Sequence, residues 1–145
     1  MVTELLAGLL LASLAVPLWA QLTPKTRPYY DITKEITLTG TVSSVFKRAT
    51  AGMIPGSHLL LTTDSGGVDA SLGRWGLEGK GALSVAAGEQ VEVTGVMKTL
   101  RDKEVFVART VKMGGRVYTM RNAHGISLSP QSRQRSTQGQ KGASL

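Results

Sequence analysis

Cysteine is absent from this chain of 145 residues, and aromatic residues are few, with two Trp, three Tyr and two Phe. The lack of cysteine excludes a disulfide framework, a zinc ribbon, a thiol nucleophile and a lipid attached through a thiol. Long hydrophobic runs are also lacking, because the main apolar stretch, residues 5–20, is shorter than the roughly 18 residues of a membrane-spanning helix. The length, with 41% hydrophobic residues, predicts one globular domain with tails.

The first twenty residues are typical of an export signal peptide. The apolar run contains Pro17 near its end, and the chain becomes polar at Gln21. An uncleaved N-terminal anchor is the alternative, because residues 1–4 include Glu4 but no Lys or Arg, whereas export signals begin with positive charge. Both interpretations predict that the following domain lies outside the cytoplasm, in the periplasm or secreted, and cleavage would leave no stable membrane span.

Acidic residues are scarce, with 10 Asp and Glu against 17 Lys and Arg, and they are missing altogether after Glu104. The C-terminal stretch from residue 105 onward carries only positive charge, at Arg109, Lys112, Arg116, Arg121, Arg133, Arg135 and Lys141. Such a field attracts polyanions without specifying which one. Nucleic acid, anionic phospholipid head groups and acidic cell-wall polymer all fit this charge.

Composition divides the remaining chain into three regions. Residues 21–28 contain two prolines and two bases, and this composition predicts an extended linker. Residues 29–128 show the periodic apolar pattern of a folded domain. Residues 129–145 are rich in Ser, Gln and Gly, and we expect a disordered basic tail there.

Within the domain the apolar residues alternate with a period of two, which predicts β-strands. Gly40 interrupts the first strand and indicates a bend or bulge, whereas the stretch 74–87 has room for at most one short helix. Turns are expected at 64–67, 99–103 and 114–115, and strands at 35–46, 58–63, 68–72, 90–97, 104–111 and 116–121. The predicted fold is therefore all-β, a five-stranded Greek-key barrel of the OB type with an extra C-terminal strand. An SH3-like barrel or a small sandwich is the competing architecture.

Four segments resemble a family of small exported bacterial OB-fold proteins, with distant kinship to periplasmic bacterial OB-fold stress proteins. They are GTVSSV, SHLLLTTDSG, AAGEQVEVTG and VFVARTVKMGGRVYTMRNAHG, and the resemblance spans residues 30–125, including Ala108-Arg109 and the Arg-x-x-x-Gly ending at 121–125. This resemblance implies the same OB barrel. The third strand here contains DASL at 69–72 instead of a His, and ISLS stands at 126–129 in place of a Trp near the domain's end, so a ligand role at those positions is not implied.

The sequence contains no catalytic constellation, nucleophile elbow or phosphate-binding loop, and it implies no cofactor and no enzymatic activity. His58 and His124 are the only side chains that ordinarily titrate near neutral pH. They are weak candidates for a metal site, since two His without a third ligand define none. A purely structural role is favoured over metal binding for both residues, with His58 flanking a strand and His124 in a turn.

A single-stranded nucleic-acid binder is an alternative function, because OB barrels stack bases on aromatic residues of their second and third strands. Those strands, HLLLTT and VDASL, contain no aromatic residue here. Trp75, with Arg74 beside it, is the only candidate platform, and burial as a core anchor is the favoured interpretation of this Trp.

We therefore expect an exported, non-enzymatic binding or interaction module, monomeric, that contacts an anionic ligand or an envelope protein through a basic surface. Single-stranded nucleic-acid binding and a periplasmic metal-binding or stress role are the alternatives. The candidate ligand-binding residues are Arg109, Lys112, Arg116 and Arg121 on the last strands, together with Arg74, Trp75 and Lys80.

Overall fold

A computed structural model describes residues 29–133, which form six strands and one short 3₁₀ turn. The predicted signal helix at 1–20, the linker at 21–28 and residues 134–145 of the predicted tail lie outside the described residues. The turn is Ile32–Lys34, and the strands are β1 (Ile36–Phe46), β2 (Ser57–Thr63), β3 (Gly66–Gly73), β4 (Gln90–Leu100), β5 (Lys103–Met113) and β6 (Arg116–Thr119). The stretch 74–87 contains turns and irregular chain but no helix.

The strands form one sheet in the order β3-β2-β1-β4-β5, which closes on itself where β3 pairs with β5 in parallel. This closing pairing joins Ala70 to Phe106 and Ser71 to Val107. β6 pairs with β5 alone and lies outside the closed barrel. The prediction of an all-β, five-stranded barrel with an extra C-terminal strand is confirmed.

β1 is long because it serves two neighbours. Its first half pairs with β4 and its second half with β2, and the change of partner occurs around Thr41. A Cβ atom at Gly40 would lie 3.1 Å from the Thr62 carbonyl oxygen, and the pairing shifts between Val42 and Ser44. The bend predicted at Gly40 is therefore the place where the sheet rolls into a barrel.

Several strand ends differ from the sequence-based prediction, among them those at the β4–β5 turn and the end of β6. The turn expected at 99–103 contains only Arg101 and Asp102, both with positive φ, because β4 and β5 continue pairing up to Leu100 and Lys103. This two-residue turn lacks the Asn and Gly that usually mark such a turn, so the sequence does not show where within 99–103 it lies. β6 ends at Thr119, two residues earlier than expected, and Arg121 instead bridges to Ser127.

The core is filled by the inward side chains of the strands. Leu59, Leu61, Leu72 and Phe106 are fully buried, and Met120 packs against the same cluster. Because side chains alternate along a strand, the residues between these core positions on β2 and β3 point to the outer face of the barrel. Part of that outer face is nevertheless buried, since the loop 47–56 and the segment 121–128 cover it.

Residues 129–133, the beginning of the predicted tail, are ordered against the loop that follows β3. Residues 130–133 form one helical turn, in which the Arg133 amide donates to the Ser129 carbonyl at 3.0 Å. The Arg133 guanidinium donates to the carbonyls of Trp75 and Glu78, and Pro130 packs on Gly79. These contacts hold this part of the chain in place although its composition is polar. Within residues 29–133, no helix is long and apolar enough to cross a membrane.

Candidate functional site

A cleft of about 530 Å³ opens beside the loop 47–56. Its lining contains three bases and one acid, and we call these four residues and the space between them the basic cleft: Lys47, Arg48, Arg74 and Glu78. The remaining lining residues are Ala49, Pro55 and Gly56. The three bases are exposed, and neither ion pair among residues 29–133 includes any of them. The cleft therefore brings three positive charges together with one negative charge, and none of the three bases forms an ion pair within residues 29–133.

Strand register brings these distant residues together. Lys47 and Arg48 follow the end of β1, and Arg74 follows the end of β3. Phe46 pairs with His58 and Gly73 pairs with Ser57, so both strand ends meet at the start of β2. The Ser57 hydroxyl donates to the Lys47 carbonyl at 3.1 Å and fixes this end of the loop.

Trp75 and Arg74 form a stacked pair at the edge of the basic cleft. The Arg74 guanidinium carbon lies 5.1 Å from the centroid of the Trp75 ring, which is half-buried. A guanidinium over an aromatic face gains about 0.5–1 kcal/mol at an exposed site, and the ring limits where Arg74 can point. Lys80 is exposed on the same loop but does not line the cleft.

Arg109, predicted as part of a basic surface, is engaged in an ion pair. Its Nη2 atom donates to Glu35 Oε2 at 2.9 Å, and its Nε atom donates to Glu35 Oε1. The Tyr30 hydroxyl also donates to Glu35 Oε1, at 2.7 Å. The hydrogen bonds from Arg109 hold the pKa of Glu35 below its ordinary value. Arg109 thus ties β5 to the residue just before β1, and its charge is compensated.

Arg121 is buried, with 6% of its surface exposed. Its guanidinium donates to Ser71 Oγ at 2.9 Å, to the Gly125 carbonyl at 3.2 Å and to Ser127 Oγ at 3.3 Å, and burial lowers its pKa. All three acceptors are neutral oxygens. Arg121 therefore holds the segment 121–128 against the outer face of β3 and does not reach solvent.

Lys112 and Arg116 are exposed, but they lie on opposite faces of the β5–β6 hairpin. Val117 stands opposite Lys112, whereas Met113 stands opposite Arg116, and directly opposed residues share a face. The Arg116 guanidinium packs over the Tyr118 ring, 4.9 Å from its centroid. The four strand residues predicted as one patch are therefore not brought together by the barrel. Only Arg74, among the predicted bases, lines the cleft.

A second groove, of about 570 Å³, lies on the other side of the loop 47–56 and reaches the β4–β5 turn. Its charges are mixed, with Asp69 and Glu104 facing the groove beside Arg101 and Lys103. The Lys103 ammonium lies over Gly52, where a Cβ would approach it to 2.8 Å. The loop 47–56 thus separates a groove of balanced charge from a cleft of positive charge.

The two histidines have different surroundings. His58 is fully buried on the outer face of β2, with Nδ1 2.6 Å from Asp69 Oδ1 and Nε2 2.7 Å from the Ile54 carbonyl. His124 is exposed, in a turn where its amide donates to Asn122 Oδ1 at 2.9 Å. No group of three or more His, Cys, Asp or Glu side chains suited to a metal ion is found in the described part of the chain.

The model of a known protein family matches residues 34–118, a region that begins just before β1 and ends within β6. This region is more than half of the chain, and the family is described as the MamS/MamX magnetosome protein family. The chain belongs to this family. The family match contains the whole barrel and the basic cleft, and it ends before Arg121. No curated protein and no solved structure matches the chain.

The predicted membership of a bacterial family is thus confirmed, whereas kinship to periplasmic stress proteins stays a prediction. Two bases of the cleft, Lys47 and Arg48, were not among the predicted site residues. Their signal in the sequence is a pair of adjacent bases directly after a long strand. That signal becomes informative only when the strand register places Arg74 beside them.

Proposed function

We propose that this protein is an exported, non-enzymatic binding module that works at a magnetosome and holds an anionic partner in the basic cleft. The magnetosome setting is taken from the name of the family that the chain matches. Export is supported by the apolar N-terminal stretch of the sequence. The observation that carries the proposal is the convergence of three exposed bases without ion-pair partners on one cleft.

Carboxylate or phosphate groups are the ligand chemistry that suits this cleft. Arg48 and Arg74 each present a planar fork of donors for such oxygens, and Lys47 adds a point charge. The stack on Trp75 orients the Arg74 guanidinium before a ligand arrives, which reduces the entropy lost on binding. Because the bases are exposed, added salt screens the attraction over a Debye length of about 10 Å at 0.1 M. Binding should therefore weaken as salt increases.

The composition of the lining supports binding without catalysis. Ser, Thr and His are missing from the seven residues that line the basic cleft, and Glu78 is its only carboxylate. Acid–base and nucleophilic catalysis require a nucleophile and a base within hydrogen-bonding reach of each other. Lys47 and Glu78 are the only lining residues of these two types, and they form no ion pair with each other.

The test compares two triple variants that remove the same number of charges. The first replaces Lys47, Arg48 and Arg74 of the cleft with Gln, and the control replaces the exposed bases outside it, Lys80, Lys112 and Arg116. Fluorescein-labelled poly-glutamate is titrated with each protein at low and moderate salt, and anisotropy gives the affinity.

We expect the cleft variant to lose about tenfold in affinity, since three exposed charge contacts each contribute about 0.5 kcal/mol. The control variant should lose much less, and the wild-type affinity should fall with salt. Equal losses in the two variants would show that net charge alone attracts the polymer, and the proposed site would then be wrong.

A further inference from the structure

His58 lies between two hydrogen-bond acceptors. Its Nδ1 atom is 2.6 Å from the Asp69 carboxylate, and its Nε2 atom is 2.7 Å from the Ile54 carbonyl oxygen. A carbonyl oxygen cannot donate a proton, and an ionised carboxylate accepts only. Both ring nitrogens must therefore carry a proton for both bonds to form, so the arrangement fits the charged imidazolium form of His58.

The charged groups that face His58 come from two other elements. Asp69 on β3 supports the imidazolium charge, and its side chain is 21% exposed at the edge of the mixed-charge groove. Arg121, on the segment after β6, opposes that charge from the same buried face. Burial by itself lowers the pKa of His58, but the bonds to Asp69 and Ile54 outweigh burial and raise it above the ordinary 6.5.

The bond from His58 to Ile54 is the link between the loop and the barrel. Among the described residues, it is the only hydrogen bond that ties residues 48–55 to the strands. The other hydrogen bonds of this stretch are internal, from the Thr50 hydroxyl to Met53 Sδ and from the Met53 amide to the Thr50 carbonyl. Apart from the Ser57 hydroxyl at Lys47, one side chain therefore holds the loop to the strands, and that side chain is titratable.

We propose that protonated His58 is a latch that holds residues 48–55 of the loop on the barrel, and that loss of its proton releases them and moves Arg48 away from the other bases of the basic cleft. The second half of this statement rests on the proposed function, because Arg48 is released whereas the Ser57 hydroxyl still holds Lys47. The first half stands on the hydrogen-bond geometry alone.

When His58 loses a proton, its hydrogen bond to the loop at Ile54 breaks, and its hydrogen bond to Asp69 on β3 stays. A neutral imidazole keeps one proton, and that proton stays on Nδ1 because the charged Asp69 carboxylate is a stronger acceptor than a carbonyl. The Nε2 lone pair then faces the lone pairs of the Ile54 oxygen at 2.7 Å, a repulsive contact. The His58–Asp69 bond survives, and the Ile54 carbonyl moves away toward water.

The direction of the pH effect follows from the raised pKa of His58. The latch contributes its full stabilisation below pH 6.5, where the imidazolium is charged in both the folded and the unfolded chain. That stabilisation is lost as the pH rises through the pKa of the folded state. The loop is thus closed in mildly acidic solution and open in alkaline solution.

The test measures the loop without any ligand. ¹⁵N relaxation of the Thr50 and Ile54 amides is followed from about pH 5 upward, until the ring resonances of His58 show that its titration is complete. We expect the loop to become mobile with the same midpoint as His58. Asp69→Asn should lower that midpoint by about 1 pH unit or more, since it removes the charge that supports the imidazolium. His124→Gln, which changes an exposed histidine, should leave it unchanged.

A loop that stays rigid while His58 titrates, or a midpoint that Asp69→Asn does not move, would overturn the latch. Titration of poly-glutamate over the same pH range separates the two proposals. Polymer binding that does not change while the loop opens would show that the latch does not govern the basic cleft. Loop opening in a protein that shows no cleft-dependent polymer binding would leave the latch intact and reject the proposed function.

Discussion

Gly95 lies in β4, directly against the backbone of β5 and next to a shift in the pairing of the two strands. A Cβ atom there would lie 2.2 Å from the Val107 carbonyl oxygen and 2.9 Å from the Ala108 Cα, whereas real Cβ contacts stay beyond 3.0 Å. The three nearest atoms belong to the backbone, so no side-chain rotation can relieve the contact. Gly95→Ala therefore forces β4 and β5 apart in the middle of the barrel.

The loss of stability caused by Gly95→Ala can be worked out from this geometry. Overpacking in a folded core costs about 1–3 kcal/mol, and each ladder hydrogen bond that is weakened adds about 1 kcal/mol. We expect Gly95→Ala to lower the free energy of unfolding by about 3–4 kcal/mol, out of a total of about 5–15 kcal/mol for a domain. The midpoint of thermal unfolding should fall by on the order of 15 °C.

Gly67→Ala is the matched control, because Gly67 also lies in a strand but a Cβ atom there would meet nothing within 4 Å. Its unfolding free energy should stay within about 0.5 kcal/mol of the wild type, or rise slightly as the unfolded chain loses freedom. Urea unfolding followed by far-ultraviolet circular dichroism measures both variants. Equal stability of the two variants would refute the strand contact at Gly95.

Three further substitutions test other parts of the fold by urea unfolding. Asp102→Gly should stabilise the protein by about 1 kcal/mol, because Asp102 has a φ of 63° in the β4–β5 turn; destabilisation would contradict that turn. Glu35→Gln should lower the free energy of unfolding by about 1 kcal/mol at pH 7, since the carboxylate binds Arg109. Because the pKa of Glu35 is lowered, this difference should shrink as the pH falls below 4.5, and a constant difference would reject the ion pair. Leu72→Ala, at a fully buried site, should cost about 2–5 kcal/mol, whereas Leu60→Ala on the outer face should cost less than half as much.

The strands could be predicted because each alternates between a core face and an outer face. Leu59 and Leu61 point inward from β2, and the turn predicted at 64–67 consists of Asp64 and Ser65, because Gly66 and Gly67 already pair with β2. The turn at Arg101 and Asp102 is narrower than predicted, because Arg rarely adopts a positive φ and the pair lacks the Gly that usually marks such a turn. Only pairing along the strands up to Leu100 forces that conformation.

The candidate site was harder to predict, since charge in a sequence does not reveal burial or partners. Arg121 and Arg109 contribute to the basic C-terminal half, yet one is buried and the other is bound to Glu35. The cleft depends on Arg74 meeting the end of β1, which requires the register of β1, β2 and β3 together. The pairing of His58 with Asp69 likewise needs the β2–β3 register, because eleven residues separate the two.

The parallel contact between β3 and β5 is the shortest strand pairing in the closed barrel, for it consists of Ala70 and Ser71 opposite Phe106 and Val107. A closed barrel opens first where two strands are joined by the fewest residue pairs. Amide hydrogens between β3 and β5 should therefore exchange with solvent sooner than those between β1 and β4. Separation of β3 from β5 would leave the edges of these two strands unpaired and facing solvent. At high concentration such edges can pair with those of a second molecule, and strand exchange between copies is then the expected route of association.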